Sequence, residues 1–361
     1  MRDILNELDR WQEEGEEIAL ATLVDSDGPS PWRMGARLFI TRSGKMIGSV
    51  SGGCVDNDVL ERAIQVLETG QPEIQRYRIS DELDTAVGLS CGGSIDVLIE
   101  TWSNDDLWQA LHQAIRTHRP VALCTALSPD ALRGRKLVVL GNQGFRGSID
   151  PGLDATIVTD SQKLLLDGKS RVIEYPYQGD ESRVFVNSFP PAPRLFIVGA
   201  TQIAMPLCRM AVELEFRVSV VDPRSPFATK ERFPMADELL RMWPDEAFDK
   251  ASLDPECYVL TLTHDPKFDI PTLARALQTR VRYIGALGSR RTDERRKEQL
   301  REQGFTNAEL DRIHTPIGLD IGARTPEEIA IAILAELVAV RYECDARSSI
   351  TTTARVHARG E

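Results

Sequence analysis

Short apolar segments bounded by turn-forming residues dominate the beginning of the chain. Apolar side chains recur at helical spacing over residues 4–17 and again over residues 55–68, which predicts two amphipathic helices. Apolar or alternating runs separated by Asp, Ser and Gly predict four strands, at residues 18–24, 36–41, 45–50 and 95–100. Together these elements predict an α+β domain.

Residues 104–190 give a weaker signal. They contain one predicted helix and three predicted strands, at 107–117, 121–127, 136–140 and 184–186. We detect no internal repeat. The proline-rich run 188–193 then predicts an extended segment, because proline fixes its own φ and restricts the residue before it, and we take this run as a domain boundary.

Strands and helices alternate after this boundary. Strands are predicted at 194–199, 217–222, 257–263 and 283–288, with a helix at 202–216. This alternation is typical of βαβ units around a parallel sheet. Thr325, Pro326 and Glu328 form a capping box at the start of a last helix.

The predicted fold class is therefore α/β, with an N-terminal α+β domain and a C-terminal Rossmann-like, doubly wound parallel sheet. The predicted domains are 1–103, an α/β extension at 104–190, the Rossmann-like domain at 191–342 and a polar tail at 343–361.

Composition excludes several classes of protein. The net charge of −12 argues against a nucleic-acid-binding protein. No apolar run approaches the roughly 20 residues that span a bilayer, and the N-terminal residues lack a secretory signal pattern. The six cysteines form no C-x-x-C pair. We therefore expect a cytoplasmic protein with free thiols and no membrane partner.

Two cysteines stand beside paired glycines. Ser51, Gly52, Gly53 and Cys54 precede a predicted helix, where backbone N–H groups and the helix dipole favour a thiolate. Cys91, Gly92 and Gly93 precede a predicted strand. If the two loops meet, their bare amides and thiols would form a pocket for a flat, anionic ligand. The alternative is two unrelated tight turns, with each cysteine as a small packing residue.

Arginines provide a further candidate in the first domain. Arg33 and Arg37 lie with Trp32 in one predicted loop, at 29–37. A guanidinium group can bind a phosphate through two hydrogen bonds, and an indole can stack on a planar ring. The alternative is an ordinary solvated arginine.

The second domain begins with a degraded dinucleotide-binding pattern. Gly199 follows a predicted strand, and Asp222 ends the next strand 23 residues later, where an acid that binds ribose belongs. Thr201 replaces the second glycine of the pattern. Gly199, Thr201, Asp222 and Arg224 are therefore candidates for a nucleotide site on a Rossmann fold, although the replacement weakens that prediction.

Two other strand ends carry polar residues. His264 and Asp265 follow a predicted strand and could bind a metal or move a proton, or else hold their loop by hydrogen bonds. Basic residues follow Gly288 at a strand-to-helix turn, at 290–291 and 295–297. They favour either phosphate binding or a solvated helix face.

Five motifs carry a family resemblance. They lie at 49–54, at 91–93 followed by 97–100, at 263–265, at 283–290 and at 316–322. In these motifs the chain resembles the xanthine dehydrogenase accessory protein family (XdhC/CoxI), over roughly residues 14–101 and 194–341. Many relatives carry Gly-Ala-Gly-His where this chain has Gly199-Ala200-Thr201-Gln202, a departure that argues against nucleotide binding at this turn.

The resemblance implies a maturation factor for molybdenum hydroxylases such as xanthine or carbon monoxide dehydrogenase. Such proteins bind the molybdenum cofactor, protect it while a sulfurase adds the terminal sulfido ligand, and pass it to the apo-enzyme. The implied partners are that apo-enzyme, a cysteine desulfurase-type sulfurase and a second copy of the chain. One alternative is an NAD(P)-dependent oxidoreductase that uses Asp222 for ribose binding and His264 with Asp265 for proton transfer. Another is a purely structural scaffold for the client enzyme.

The resemblance also assigns residues to the cofactor. The family's Ser-Gly-Gly-Cys motif falls on Ser51, Gly52, Gly53 and Cys54, and its second motif falls on Cys91, Gly92 and Gly93. With Arg33 and Arg37 these residues form the predicted cofactor-binding set. The predicted role is that of a carrier and not of a turnover enzyme.

Overall fold

The computed structural model describes residues 2–27, 33–78 and 93–344. The chain divides into two compact units, Met1–Pro191 and Ala192–Glu361. Among the helices that the structure describes, none is long and apolar enough to cross a bilayer.

The first unit contains two five-stranded sheets. The first sheet and its two helices are formed, in chain order, by α1 (Arg2–Glu13), β1 (Ile18–Asp27), β2 (Arg37–Thr41), β3 (Met46–Gly48), α2 (Asp56–Thr69), β4 (Glu73–Arg78) and β5 (Ser94–Trp102). The second sheet and its two helices are formed by α3 (Asp106–Arg116), β6 (Val121–Ala126), β7 (Lys136–Val139), β8 (Phe145–Gly147), α4 (Asp154–Asp167), β9 (Arg171–Tyr177) and β10 (Asp180–Phe189).

These two sheets repeat one topology. Their strand orders, β3-β2-β1-β5-β4 and β8-β7-β6-β10-β9, place equivalent elements at equivalent positions. Each sheet also follows one helix and carries a second helix between its third and fourth strands. The expectation that the chain lacks an internal repeat is therefore wrong at the level of structure. We call residues 2–102 the first repeat and residues 106–189 the second repeat.

The repeats pack against each other through the inner faces of their sheets. Leu98 on β5 and Phe185 on β10 belong to one buried cluster, and Leu20 on β1 and Leu123 on β6 belong to another. The outer face of each sheet is covered by its own helix, α2 or α4. Strand side chains alternate between the two faces of a sheet. Because both faces are covered here, the central strands carry mainly apolar residues on both sides.

A polar layer interrupts this inner core. Thr22 pairs with Arg37, and the equivalent Thr125 pairs with Lys136. The Lys136 Nζ donates to Glu100, whereas Arg37 stacks on the rings of Trp108 and Phe189 at 5.4 and 4.9 Å. Burial lowers the pKa of Arg37 to about 10, and the charge of Glu100 partly offsets this effect.

The second unit is a doubly wound sheet of six parallel strands in the order β13-β12-β11-β14-β15-β16. Its strands are β11 (Arg194–Val198), β12 (Arg217–Val221), β13 (Glu238–Leu240), β14 (Cys257–Thr261), β15 (Tyr283–Ala286) and β16 (Ile313–His314). Its helices are α5 (Ala204–Glu213), α6 (Pro244–Ala251), α7 (Pro266–Leu277), α8 (Arg290–Glu302), α9 (Asn307–Leu310) and α10 (Pro326–Arg341).

Both faces of this sheet are buried. Leu207 of α5 and Leu337 of α10 pack on one face, and Phe248 of α6 and Leu273 of α7 pack on the other. The predicted α/β fold class is thus confirmed, including the parallel sheet. The predicted capping box is also confirmed, since Thr325 Oγ1 accepts from the Glu328 N–H and Glu328 accepts from the Thr325 N–H.

Candidate functional site

Three connections of the first repeat leave the same edge of its sheet. Gly48 at the end of β3 pairs with Leu38 at the start of β2, and Ser94 at the start of β5 pairs with Asp27 at the end of β1. The connections 28–36, 49–55 and 79–93 therefore begin or end at this edge. Among the described residues, this edge carries the loop Ser51–Cys54, Arg33 and Gly93.

The loop 49–55 is held in shape by Ser49, Ser51 and Asp56. The hydroxyl groups of both serines donate to the Asp56 carboxylate, at 2.6 and 2.9 Å. Ser49 Oγ also accepts the N–H groups of Ser51 and Gly52, and Ser51 Oγ accepts the N–H of Val55. Each hydroxyl thus acts as donor and acceptor, which fixes the path of the backbone before a ligand arrives.

Gly52, Gly53 and Cys54 form the outer part of this loop and are exposed. The φ angles of Gly52 and Gly53 are +72° and +108°, a region that favours glycine. A Cβ added at Gly53 would meet nothing within 4 Å. The space at Gly53 is therefore open, and the helix α2 begins two residues after Cys54.

The second repeat provides an internal comparison. Gly147, Ser148 and Ile149 correspond to Gly48, Ser49 and Val50, and Asp154 corresponds to Asp56 as the first residue of the helix. Asp154 likewise binds the turn, by accepting the N–H groups of Ile149 and Asp150. Between these shared parts of the fold, the second repeat has Asp-Pro-Gly-Leu at 150–153 in place of Ser-Gly-Gly-Cys-Val at 51–55.

The connections differ in length at the same place. In the first repeat, 15 residues join β4 to β5, and they include Cys91 and Gly92. In the second repeat, two residues, Gln178 and Gly179, join β9 to β10. The shared residues explain how each loop folds. The glycine-cysteine loop and the longer connection are additions found in the first repeat.

The remaining predicted cofactor residues take different positions. Gly93 directly precedes β5 with φ +97°, while Trp32, Cys91 and Gly92 lie outside the described residues. Arg33 is exposed in the turn before β2, where its carbonyl accepts the Ala36 N–H. Arg37 lies on the inner face of its strand, between the sheets. The structure thus places Arg33, Gly93 and the Ser51–Cys54 loop at one edge and buries Arg37.

Sequence reasoning missed Ser49 and Asp56 as parts of this site. A signal was present, because serines and an aspartate just before and at the start of a predicted helix are typical of side-chain to backbone hydrogen bonds. Ser49 and Asp56 hold the loop through hydrogen bonds to its backbone and to the Ser49 and Ser51 hydroxyl groups.

In the second unit, Gly199 ends the first strand with φ +96°, and a Cβ there would lie 2.3 Å from the Thr263 methyl group. Asp222 is fully buried at the end of β12. Its two carboxylate oxygens accept from the Ala200 N–H and from three N–H groups of Arg224. Despite its burial, these hydrogen bonds hold the pKa of Asp222 below its usual value.

This geometry bears on nucleotide binding. A carboxylate offers about four acceptor positions, and here four donors occupy them. Asp222 is therefore committed to the turn and to Arg224, and a ribose hydroxyl would have to displace one of them. The Thr201 hydroxyl group, at the position of the second glycine, is buried without a hydrogen-bond partner among the described residues.

His264 and Asp265 lie in the connection after β14 and are exposed. The Asp265 side chain caps α7 by accepting the Lys267 N–H. Within residues 2–27, 33–78 and 93–344, no three His, Cys, Asp or Glu side chains come together as a metal site.

Comparison with known proteins places these features in one family. Residues 195–337 match the XdhC Rossmann domain, and residues 11–78 match the XdhC and CoxI family. The two matches together cover more than half of the chain. The chain belongs to the XdhC and CoxI family. Within this family region lies the glycine-cysteine loop at 51–54.

Several relatives cover nearly the whole chain. A protein of Bacillus subtilis named as a probable xanthine dehydrogenase subunit is 27% identical over 92% of this chain and 96% of its own length. The molybdenum cofactor insertion chaperone PaoD of Escherichia coli is 25% identical over 91% of this chain and 84% of its own length. A crystal structure titled as a xanthine dehydrogenase from Bacillus halodurans is 27% identical, with a TM-score of 0.76, and the match covers 95% of this chain and 97% of that one.

Proposed function

We propose that this chain takes part in the maturation of a molybdenum hydroxylase, by binding the molybdenum cofactor as cargo and passing it to the apo-enzyme. Support comes from its family and from a relative named as a molybdenum cofactor insertion chaperone. In this proposal the cofactor is protected on the chain while a sulfurase adds the terminal sulfido ligand. The cytoplasm is the expected location, because the thiols would stay reduced there.

The observation that carries the proposal is the loop Ser51–Cys54. It presents an exposed thiol next to two glycines, with open space at Gly53, on a backbone fixed by Ser49 and Asp56. Sulfur is a suitable ligand for soft transition metals, and bare amides suit a planar ligand rich in hydrogen-bonding groups. The second repeat folds in the same way without this loop, so the fold alone does not require it.

Within this proposal the other candidates have separate roles. Arg33 and Gly93 lie at the same edge of the sheet as Cys54, and we assign them, together with Cys91 and Gly92 of the second motif, to the cofactor as further contacts. Arg37 would support the site without touching the cofactor, because its side chain is 6% exposed and stacks between the rings of Trp108 and Phe189. Its role would be to hold the strand that follows the Arg33 turn.

The Rossmann-like unit would serve in docking to the client enzyme or in forming a homodimer. The rival hypothesis, an NAD(P)-dependent oxidoreductase, needs a free ribose acceptor at the end of β12. The Asp222 carboxylate is instead filled by hydrogen bonds from Ala200 and Arg224.

The test is anaerobic incubation with molybdenum cofactor, followed by gel filtration and by molybdenum and pterin analysis. Cofactor should co-elute with the wild-type chain and be lost from Cys54→Ala, while Cys54→Ser separates loss of sulfur from loss of volume. Cys344→Ala is the matched control, because Cys344 is also exposed and lies outside the loop. The proposal fails if the wild-type chain elutes without cofactor under conditions where free cofactor survives.

A further inference from the structure

The second unit contains a buried arginine whose donors are not all used. Arg296 on α8 is 3% exposed, and its Nε and Nη2 donate to Asp269. Its Nη2 also donates to the Thr263 carbonyl. Its Nη1 is buried and has no hydrogen-bond partner among the described residues. A buried N–H group without an acceptor lowers the stability of the fold, because it has lost its hydrogen bonds to water and has gained none in the protein.

The unused donor lies beneath the turn that joins β15 to α8. A Cβ added at Gly288 would stand 3.0 Å from Arg296 Nη1. Glycine leaves room beside this guanidinium, whereas a side chain at position 288 would stand against Nη1 and against the Thr292 side chain, which lies 3.3 Å from the same point. The φ of Gly288 is +152°, which also disfavours other residues.

The same turn is the start of a 13-residue helix. Ser289 caps it, since its Oγ accepts the Thr292 N–H and its carbonyl accepts the Asp293 N–H. The N–H groups of Arg290 and Arg291 then have no acceptor within the helix. They point out of the helix N-terminus, where the dipole favours an anion.

The side chains at this turn have the matching charge. Arg290 and Arg291 are exposed on the first turn of α8. The acidic residue of that turn, Asp293, is paired with Lys297 at 3.2 Å. The carboxylate of Asp269 is likewise occupied by Arg296 and by the hydroxyl groups of Thr261 and Thr263. Positive charge and unused N–H donors are therefore what the turn offers.

We propose that the turn Gly288–Arg291 binds a phosphate group, seated over Gly288. The phosphate oxygens accept from the Arg290 and Arg291 N–H groups and from Arg296 Nη1, and the Arg290 side chain adds a second guanidinium. Phosphate suits the site because it offers several oxygens to donors that converge from different directions. A phosphate monoester and free inorganic phosphate share this chemistry.

The bland explanation is that Arg296 neutralises Asp269 and does nothing more. That role accounts for Nε and Nη2 but leaves Nη1, the glycine above it and the arginines of the first turn unexplained. The proposed site lies within the second unit and does not depend on Cys54, so it stands or falls separately from the cofactor proposal.

The test is a ³¹P NMR titration of the full chain with inorganic phosphate and with a nucleoside 5′-monophosphate, at constant ionic strength. The unphosphorylated nucleoside is the ligand control. Two variants probe the site: Gly288→Ala, which covers Nη1, and Arg290→Glu, which reverses a charge at the turn. Arg295→Glu is the matched control, because it makes the same charge change on an exposed residue of the same helix.

We expect the wild-type chain to bind, and both site variants to weaken binding about tenfold or more, the size of one charged hydrogen bond. Arg295→Glu should bind as the wild-type chain does. Tighter binding of the monoester than of inorganic phosphate would identify an ester as the ligand, and equal binding would identify free phosphate. The proposal is overturned if the wild-type chain does not bind, or if Arg290→Glu and Arg295→Glu weaken binding equally. Circular dichroism of Gly288→Ala shows whether that variant is folded, and Arg290→Glu decides the matter if it is not.

Discussion

The cysteines of the described residues differ in how deeply their side chains are buried. Cys54 is exposed at the tip of its loop, whereas Cys124, Cys208 and Cys257 are buried. Burial raises the pKa of the Cys124 thiol to about 12 and that of the Cys208 and Cys257 thiols to about 11. These three remain protonated and act as packing residues. Cys54, by contrast, belongs to none of the buried hydrophobic clusters of the described residues.

A buried histidine predicts a pH dependence of stability. His112 lies against the rings of Trp102 and Trp108, and burial lowers its pKa from 6.5 to about 4, helped by Arg37 and Arg116 and opposed by Asp9. Below pH 6.5 the unfolded chain binds a proton that the folded chain excludes. Stability is therefore complete above pH 6.5 and falls as the pH is lowered towards 4. The expected loss between pH 7.5 and pH 5 is about 2 kcal/mol.

Urea unfolding of the wild-type chain and of His112→Phe at these two pH values measures this effect. The phenylalanine keeps an aromatic ring between the tryptophans but cannot bind a proton. The difference between the two pH values should shrink by about 2 kcal/mol in the variant. An equal pH dependence in both proteins would mean that other groups cause it.

At the scale of elements, the loop that follows Gly48 corresponds to the loop that follows Gly147. This correspondence predicts what happens when one loop is replaced by the other. Replacing residues 51–55 by the Asp-Pro-Gly-Leu of 150–153 keeps Ser49 and Asp56, which correspond to Ser148 and Asp154. We expect this variant to fold, because the second repeat shows that such a loop fits the topology. It should retain no molybdenum cofactor in the gel-filtration assay.

The reverse exchange is the control for that prediction. Placing Ser-Gly-Gly-Cys-Val at 150–153 leaves the original loop intact, so this variant should retain cofactor as the wild-type chain does. Cofactor bound by the first exchange variant would show that the thiol and glycines of the loop are dispensable.

Elements with regular apolar spacing were the ones that sequence could predict. The helix α2 buries Val59, Ala63 and Val66 at helical spacing, and its predicted range 55–68 is within one residue of the structure at each end. By contrast, α7 contains Pro271, and α8 buries little besides Arg296 and Leu300. A proline inside a helix and a highly charged helix both hide the apolar period on which the prediction rests.

The repeat was invisible for a different reason. Equivalent positions often hold different residues, such as Arg37 and Lys136, or Glu100 and Asn187. Topology and the position of each side chain on a face are shared, while residue identity is kept at only some positions, such as Thr22 and Thr125. In the same way, sequence located the loop Ser51–Cys54, but the roles of Ser49 and Asp56 depend on contacts that only the folded turn creates.

At the scale of the whole molecule, the membership of the buried hydrophobic clusters predicts which parts of the chain fold independently. Each cluster of the described residues draws its members from one unit, on one side of the boundary at Pro191. Two clusters of the first unit, however, draw on both repeats. The two units should therefore be separable, and the two repeats should not.

Fragments test this division. The fragment 1–191 should unfold cooperatively and retain cofactor, and the fragment 192–361 should also unfold cooperatively. The fragment 1–103 keeps Cys54 and its sheet but exposes the inner face, including Leu20, Phe39 and Leu98. Each such side chain loses ~1.5–3 kcal/mol of burial, which is a large share of the stability of a small domain. Thermal melts by circular dichroism should show no cooperative transition for this fragment. A cooperative transition in 1–103 would mean that the first repeat is an independent domain and that the second repeat is not needed to support the loop.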